Sequence, residues 1–238
     1  MRMRKKKNGA QRLEACAELL FAHEGEPLSS PASAIGMDGA EVYLEIGAGK
    51  GGFACQMAAR HSDKAYFAME RVSDCAMLAA ERAKREGDHE NLRFIVDTAD
   101  NLTSIFAPGS IDAIFLNFSD PWSKKGYAKR RLTHRRYLSV YFSLLKDGGR
   151  LCFKTDNVGL FDFSLEEIEA MELPLQKCTR DLHASEYNEG NIMTEYETAF
   201  SAEGIKINML EVVKPVGYFR EVSPEFNKKT TNIYKTSN

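Results

Sequence analysis

The sequence lacks the features that mark membrane, secreted and disulfide-rich proteins. No apolar run approaches the roughly 18–20 residues that are needed to cross a bilayer. No apolar segment follows the basic first residues, as a secretion signal would require. Only five cysteines occur among the 238 residues, and no Cys-x-x-Cys pair is present. We therefore expect a cytoplasmic protein with reduced thiols, no membrane partner, no disulfide framework and no metal site.

The chain also has little net charge, −2 at pH 7, which by itself predicts no polyanionic partner. The basic residues are unevenly distributed, however. They crowd the start, about residues 1–9, where we expect a flexible basic arm, and seven of them lie within residues 124–136 with no acid among them. A nearly neutral protein with local basic blocks is typical of an enzyme that meets phosphate with one face.

One stretch, residues 42–53, combines an apolar strand, a glycine-rich turn and the start of a helix. Gly47 and Gly49 let the turn be tight and let a ligand approach the backbone, because glycine has no Cβ and tolerates positive φ. The helix that follows directs free N–H groups at whatever lies above the turn. Such a unit opens nucleotide-type cofactor sites in α/β sheets. Alternatively, the glycines only allow the helix and the strand to pack closely.

Strand and helix patterns alternate along the chain, which predicts an α/β protein with a doubly wound, mostly parallel, seven-stranded sheet in one domain, residues 1–238. The predicted strands cover residues 41–46, 65–69, 92–96, 111–116, 150–154, 175–180 and 205–213. The predicted helices cover residues 10–23, 52–60, 74–86, 101–106, 133–146, 159–171 and 194–203. In such sheets, ligands bind beyond the carboxyl ends of the strands.

Acidic and polar residues lie at or just after the ends of the first three of these strands. Glu70, at the end of the second strand, is placed to accept hydrogen bonds from both ribose hydroxyls of an adenosine cofactor. Glu45, directly before the glycine turn, favours S-adenosylmethionine over a dinucleotide, because a carboxylate would attract the cationic methionine end but repel a pyrophosphate. Asp97 or Thr98, after the third strand, could reach the adenine amino group.

Residues 117–132 follow the fourth strand, where a methyl acceptor would bind. Asp120 could accept the N1–H and N2–H donors on the Watson–Crick edge of guanine. Trp122 could stack on the base, and the lysines and arginines that follow could bind phosphates. Each feature has a simpler interpretation: Asp120 as a turn residue before proline, Trp122 as a packing residue, and the basic run as a solvated surface.

The sequence resembles the bacterial tRNA (guanine-N7-)-methyltransferase family from about residue 40 to 213. The matching segments are residues 45–51, 117–122 with 129–132, 153–157, 190–193 and 194–197. The resemblance implies a Rossmann-like class I methyltransferase fold, S-adenosyl-L-methionine as the cofactor and tRNA as the partner. It further implies methyl transfer to N7 of the variable-loop guanine, guanine 46, which gives 7-methylguanosine.

The resemblance also implies site residues, position by position. Those that match its cofactor positions are Glu45, Gly47, Gly49, Glu70, Asp97, Thr98 and Asp120, and Asp120 also matches the catalytic position. Those that match its substrate positions are Lys124, Asp156, Thr194, Glu195, Tyr196 and Glu197. Those that fall on its RNA-contacting stretch are Gly126, Tyr127, Lys129, Arg130 and Arg131. The sequence departs from the family's pattern at Tyr127, where His is usual, and at Thr98, where Asp is common before Ala99.

Methyl transfer to guanine N7 needs no general base, because that nitrogen carries no proton. Catalysis then depends on proximity, orientation and electrostatics. We expect Asp120 to stabilise the positive charge that develops on the purine, while Asp156 and Glu197 help to read the guanine edge. Three alternatives stay open: a Rossmann dehydrogenase that binds NAD, a non-catalytic tRNA-binding relative, and an enzyme that methylates another RNA base. The oligomeric state, monomer or homodimer, is also open.

Overall fold

The computed structural model describes residues 6–87 and 89–218 and has one central β-sheet. The strands, in chain order, are Val42–Ile46 (β1), Ala65–Met69 (β2), Leu92–Ile95 (β3), Ile111–Asn117 (β4), Leu145–Thr155 (β5), Leu175–Thr179 (β6) and Asn208–Val213 (β7). They form a seven-stranded sheet in the order β3-β2-β1-β4-β5-β7-β6. β7 is antiparallel to both of its neighbours, and the other pairs are parallel. The predicted α/β architecture with a mostly parallel sheet is confirmed.

Helices cover both faces of this sheet, as the alternating pattern predicts. In chain order they are Gly9–Glu14 (α1), Gly52–Arg60 (α2), Ser73–Glu86 (α3), Leu102–Ile105 (α4), Arg135–Leu144 (α5), Val158–Ala170 (α6) and Glu195–Ala202 (α7). Side chains of α2 and α3 pack in one hydrophobic cluster, and those of α5 and α6 pack in another. On β1, Tyr43 joins the first cluster and Leu44 the second, because successive side chains of a strand point to opposite faces.

The predicted helix over residues 10–23 is wrong in its second half. α1 ends at Glu14, and the chain then passes through a short 3-10 segment into an extended stretch. Leu20 forms a parallel bridge with Phe94, and the Phe21 N–H donates to the Phe94 carbonyl at 2.8 Å. β3 is an edge strand of the sheet, so its outer backbone groups are open to this stretch. The helical spacing of side chains in the sequence carries no sign of that pairing.

The start of the chain contacts α3. Residues 1–5 of the predicted basic arm lie outside the described residues, and Gly9 already begins α1. The Lys6 backbone N–H donates to the Asp74 carboxylate at 3.1 Å. Within the ranges 6–87 and 89–218, no helix combines the length and the apolar character that a membrane span would need.

The strands β1 and β2 are buried at all five of their positions. Burial of one large side chain such as Phe67 contributes about 2–3 kcal/mol of hydrophobic stabilisation. β1 and β2 are parallel and in register, with Ile46 opposite Met69. Glu45, on β1, and Glu70, directly after β2, therefore emerge from the most buried part of the sheet at the same edge.

Candidate active site

The carboxyl ends of β1, β2 and β4 open into a cleft of about 530 Å³. A cavity of this volume suits a ligand of cofactor size. Its walls include the glycine turn (residues 47–51), the Asp-Pro-Trp loop (residues 118–122) and the start of α7. Every residue predicted to bind the cofactor lines this one cleft, and these residues are Glu45, Gly47, Gly49, Glu70, Asp97, Thr98 and Asp120.

The glycine turn serves two separate purposes. Gly47, Gly49 and Gly51 all have positive φ, at 85°, 56° and 75°. A Cβ on Gly47 or Gly49 would meet nothing within 4 Å, so the backbone there borders open space that a ligand could fill. A Cβ on Gly51 would instead lie 2.8 Å from the Cβ of Ala79 on α3. The packing interpretation therefore holds for Gly51, and the ligand interpretation fits Gly47 and Gly49.

Glu45 is an acidic residue in the core, with only 2% of its surface exposed. The Asn117 side-chain amide donates to its Oε1 at 3.0 Å, whereas its Oε2 is buried without a hydrogen-bond partner. Burial raises the pKa of Glu45 to about 7, against the opposing effects of the Asn117 hydrogen bond and the Lys154 charge. An open carboxylate oxygen beside the glycine turn fits a ligand that brings a cationic amine, as the methionine end of S-adenosylmethionine does.

Glu70 is held by two backbone donors. Its Oε2 accepts from the Gly49 N–H at 2.9 Å, and its Oε1 accepts from the Val72 N–H at 2.8 Å. Each carboxylate oxygen can accept a second hydrogen bond, so Glu70 can receive two ribose hydroxyls without giving up these contacts. The same carboxylate also fixes the conformation of the glycine turn, a role that its position in the sequence does not indicate.

The turn after β3 is organised by Asp97. Its Oδ1 accepts from the Thr98 N–H at 2.7 Å and from the Asn101 side-chain amide at 2.8 Å. Asp97 therefore uses one of its two oxygens to shape the turn. Thr98 lines the cleft beside it and makes no side-chain hydrogen bond within the described part of the chain.

The Asp-Pro-Trp loop has an unusual backbone conformation. Phe118 and Trp122, at its two ends, have φ of 51° and 42°, a region that costs a residue with a side chain about 1–2 kcal/mol. Arg131 donates to the Pro121 carbonyl at 2.9 Å and to the Trp122 carbonyl at 3.2 Å. The guanidinium of Arg131, predicted from the sequence to contact RNA, is thus engaged in holding this loop.

Asp120 lies at the exposed rim of the cleft. It forms an ion pair with Arg71 at 3.5 Å, and both side chains are more than half exposed. Such a pair contributes little stability in water. The Asp120 carboxylate can therefore exchange Arg71 for donors on a ligand.

A cation–aromatic stack stands beside Asp120. The Arg130 guanidinium carbon lies 5.0 Å from the Trp122 ring centre and 4.8 Å from the Tyr127 ring centre, within the range of a cation–π interaction. The two rings meet edge to face at 5.8 Å. Trp122 is half-buried and lines the cleft, so it packs on its neighbours and still presents a surface to the cavity.

The start of α7 forms another wall of the cleft. Thr194 caps the helix and lines the cleft together with Glu195 and Tyr196. Glu195 is paired with Arg82 of α3. Tyr196 is largely exposed and stacks on Phe118 of the Asp-Pro-Trp loop, with ring centres 6.4 Å apart. An aromatic contact thus joins the two walls.

Glu197 has no exposed surface and does not line the cleft. Its carboxylate accepts from Lys154 Nζ at 2.6 Å, Asn191 Nδ2 at 2.7 Å and His183 Nε2 at 2.8 Å. Burial alone would raise the pKa of Glu197, but the Lys154 charge and these hydrogen bonds outweigh burial and lower it. In this geometry the Glu197 carboxylate is engaged with internal partners.

Lys154, the cation that pairs with Glu197, is not among the residues that the sequence predicts for the site. Its buried ammonium also donates to the Asn191 side-chain carbonyl at 3.0 Å and to the Ile192 carbonyl at 2.9 Å. It therefore ties β5 to the segment that leads into α7. The available signal was a lysine directly after the apolar run of residues 151–153, where a cation must find partners.

The remaining predicted residues are at the surface. Lys124, Gly126 and Lys129 are exposed in the segment after the Asp-Pro-Trp loop. Asp156 is partly exposed directly after β5 and lies outside the cleft lining. All four are open to solvent, and none of them lines the cleft.

Comparison with known proteins agrees with this geometry. Residues 39–210 match the model of a family described as putative methyltransferases. The tRNA (guanine-N(7)-)-methyltransferase of Lachnoclostridium phytofermentans is 45% identical over 71% of this chain and 78% of its own length. The corresponding Bacillus subtilis protein is 38% identical over 89% of this chain and 98% of its own length.

Solved structures show the same fold at low sequence identity. The 16S rRNA methyltransferase KamB superimposes with a TM-score of 0.59 at 11% identity and covers 83% of this chain and 98% of its own. That likeness supports the class I methyltransferase architecture and says nothing of the substrate. From the match over residues 39–210 and the identities to its relatives, the chain belongs to the bacterial tRNA (guanine-N7-)-methyltransferase family.

Proposed function

We propose that the chain transfers the methyl group of S-adenosylmethionine to N7 of the variable-loop guanine of tRNA, guanine 46. The observation that carries this proposal is one cleft that is lined both by Glu45, which has an open carboxylate oxygen, and by Asp120, whose carboxylate is exposed. Glu45 suits a cationic cofactor, and Asp120 suits a purine. Because tRNA is the proposed substrate, we also propose that the enzyme acts in the cytoplasm.

The cofactor half of the site is assigned as follows. Glu45 Oε2 accepts from the amino group of the cofactor, and Glu70 accepts from its ribose hydroxyls. Gly47 and Gly49 let it approach the turn. We assign the adenine contact to Thr98 and not to Asp97, because Asp97 already uses one carboxylate oxygen to hold its own turn. S-adenosylmethionine supplies a sulfonium methyl group that passes to a nucleophile without any redox change.

The acceptor half needs no proton-abstracting residue, since guanine N7 carries a free lone pair. Asp120 holds the base and stabilises the positive charge that appears on it during transfer. Trp122 supports the purine, and Thr194 and Tyr196 close the site from the α7 side. We assign Glu197 to positioning this wall, because its carboxylate is buried and already accepts hydrogen bonds from Lys154, Asn191 and His183.

The RNA face extends from the rim of the cleft over the basic segment. Exposed Lys124 and Lys129 bind phosphates, and the backbone at Gly126 allows close approach. Tyr127, which stands where the family usually has a histidine, and Arg130 offer a stacking surface for a base. Asp156 contacts the tRNA outside the cleft. The proposal needs no metal for the transfer step and is independent of whether the chain acts as a monomer or a homodimer.

The test is methyl transfer from labelled S-adenosylmethionine to unmodified tRNA transcripts, followed by digestion to nucleosides. A 7-methylguanosine product supports the proposal, another methylated nucleoside supports the alternative of a different base, and no product with retained tRNA binding supports a non-catalytic relative. In the same assay Asp120→Asn should lower kcat about 10²–10³-fold. Asp38→Asn, which changes an exposed acid outside the cleft lining, is the matched control. Full turnover by Asp120→Asn with normal cofactor and tRNA binding would contradict the role of Asp120.

A further inference from the structure

A second cluster of chemically active side chains lies apart from the cleft residues. Cys55 on α2, Glu86 at the end of α3 and His89 just before β3 each place a donor atom within 4.8 Å of the other two. None of the three lines the cleft, and the mechanism above uses none of them. We propose that they form a binding site for a divalent transition-metal cation of the zinc class.

His89 is the observation that points to a ligand. Only 8% of its surface is exposed, and in the described part of the chain neither of its ring nitrogens has a hydrogen-bond partner. Buried polar groups are almost always satisfied, so a buried imidazole with both nitrogens open requires an explanation such as a bound ion. One of these nitrogens faces the Cys55 thiol and the Glu86 carboxylate at coordination-site spacing.

The donor set selects the class of metal. Sulfur and imidazole nitrogen suit zinc and other late transition metals, whereas calcium and magnesium prefer oxygen ligands. Three protein ligands leave a fourth tetrahedral position for water. Coordination displaces the Cys55 thiol proton to solvent. Glu86 is exposed and gives a cation access to the buried Cys55 and His89.

Nearby charges and dipoles affect cation binding at this site in two opposite ways. Glu86 is the last residue of α3, where the negative end of the helix dipole favours a cation. Arg82 and Arg85 oppose a cation, since they approach Glu86 at 3.6 and 3.9 Å. Those contacts are long, and Arg82 keeps a closer partner in Glu195 when Glu86 turns to a metal.

The sequence predicts no metal site because Cys55 lies far along the chain from Glu86 and His89, and no Cys-x-x-Cys pair is present. The fold brings them together where α2 packs beside α3. A metal there would cross-link α2, the end of α3 and the segment that leads into β3. It would thus brace the layer directly behind the glycine turn, and its presence is independent of the proposed tRNA methylation.

The test uses the full chain without an affinity tag, treated with a chelator and then titrated with Co²⁺. We expect a thiolate-to-cobalt absorption in the near ultraviolet that saturates at one Co²⁺ per chain. Cys55→Ser should abolish the absorption, and His89→Gln should weaken Co²⁺ binding at least about 100-fold. The matched controls are Cys178→Ser, which removes an exposed thiol, and His61→Gln, and both should keep the absorption unchanged.

Substitution of the exposed ligand Glu86 tests the site with little risk that the variant fails to fold. Glu86→Gln changes a surface side chain and should weaken Co²⁺ binding about 10-fold or more, whereas the neighbouring exposed Glu90→Gln should not. Circular dichroism and S-adenosylmethionine binding by each variant establish that the fold is retained. The proposal is overturned if the unaltered protein shows no saturable absorption, or if Cys55→Ser keeps it in a folded chain.

Discussion

Lys154 Nζ lies 2.6 Å from Glu197 Oε2, and both side chains are buried. This ion pair links the last residues of β5 to the capping box that starts α7. A buried pair of this kind adds little net stability over a hydrophobic substitute, but removal of one partner is costly because the other is left as an uncompensated charge. We therefore regard it as the contact that fixes the α7 wall of the cleft.

The first prediction follows from this pair. Lys154→Met should lower the free energy of unfolding by about 3–5 kcal/mol, measured by chemical denaturation, because Glu197 keeps its charge without a cation. The double variant Lys154→Met/Glu197→Gln should recover a large part of that loss. Both variants should transfer methyl groups more slowly than the unaltered protein. The reason is that Thr194 and Tyr196, at the start of α7, are no longer held in place by the ion pair.

The control for this comparison is Lys206→Met, which breaks an exposed ion pair with Asp181 and should change stability little. If Glu197 instead read guanine directly, Lys154→Met would leave the unfolding free energy unchanged and would alter only the KM for tRNA. That result would contradict the structural role assigned to the pair.

A second prediction concerns the burial of Glu45. Its pKa is raised to about 7 in the folded protein, from an ordinary value near 4.5, so the folded state holds a proton that the unfolded state loses. The resulting cost is absent below about pH 4.5, grows as the pH rises and is complete above about pH 7. Glu45→Gln should therefore raise the free energy of unfolding at about pH 8 by about 1–3 kcal/mol and have no such effect at about pH 4.

The same substitution should weaken the binding of S-adenosylmethionine. In the unaltered protein, calorimetry should show weaker cofactor binding as the pH falls below about 7, with proton release, because the ionised Glu45 is the form that accepts the amino group. Glu45→Gln should remove this pH dependence. A variant that is more stable and still binds the cofactor fully would refute the assignment of Glu45.

A third prediction separates the two uses of glycine in the turn. Gly51→Ala should destabilise the fold by about 2–4 kcal/mol, since its Cβ would lie 2.8 Å from that of Ala79 in addition to the cost of a positive φ. Gly49→Ala should cost only about 1–2 kcal/mol, the cost of φ alone. It should nevertheless abolish cofactor binding by filling the space above the turn.

Gly36→Ala supplies the matched control, because Gly36 has a φ of 80°, open space around its Cβ position and no place in the cleft. It should show the stability loss of Gly49→Ala together with normal cofactor binding. Equal cofactor affinity in Gly49→Ala and Gly36→Ala would show that the ligand does not approach this turn.

A fourth prediction distinguishes two cations of the basic segment. Lys129 is exposed, so Lys129→Ala should weaken tRNA binding and reduce the slope of log affinity against log salt concentration by about one. Arg131 is bound to the carbonyls of Pro121 and Trp122, so Arg131→Ala should lower kcat and leave that slope nearly unchanged. An equal decrease in slope for both variants would mean that Arg131 contacts phosphate directly.

The positions of the strand ends could be predicted from the sequence because they depend on local patterns. Apolar runs mark the strands, and the residue after each run must lie at the same edge of a parallel sheet, which brings Glu45, Glu70 and Asp97 into one cleft. The glycine turn was predictable for the same reason. What the sequence could not show was that Gly51 faces Ala79 and not the ligand, since that contact depends on how α3 packs.

Contacts between distant segments were beyond the reach of sequence patterns. Lys154 and Glu197 are 43 residues apart, and no periodicity predicts that they pair. In the sequence, nothing distinguishes Arg131 from the other cations of the basic run. Only the structure shows its hydrogen bonds to the Asp-Pro-Trp loop. The extended stretch around Leu20 was missed because its partner, β3, lies far along the chain.

The central claim is that N7 of one guanine is the methyl acceptor. The most direct measurement uses two tRNA molecules that differ only at the variable-loop guanine, one natural and one with 7-deazaguanine, which has the same Watson–Crick edge but a C–H in place of N7. We predict that both bind equally well and that only the natural tRNA is methylated, at that guanine. Methyl transfer to the 7-deazaguanine tRNA at an undiminished rate would contradict the account, because the reacting atom would then lie elsewhere.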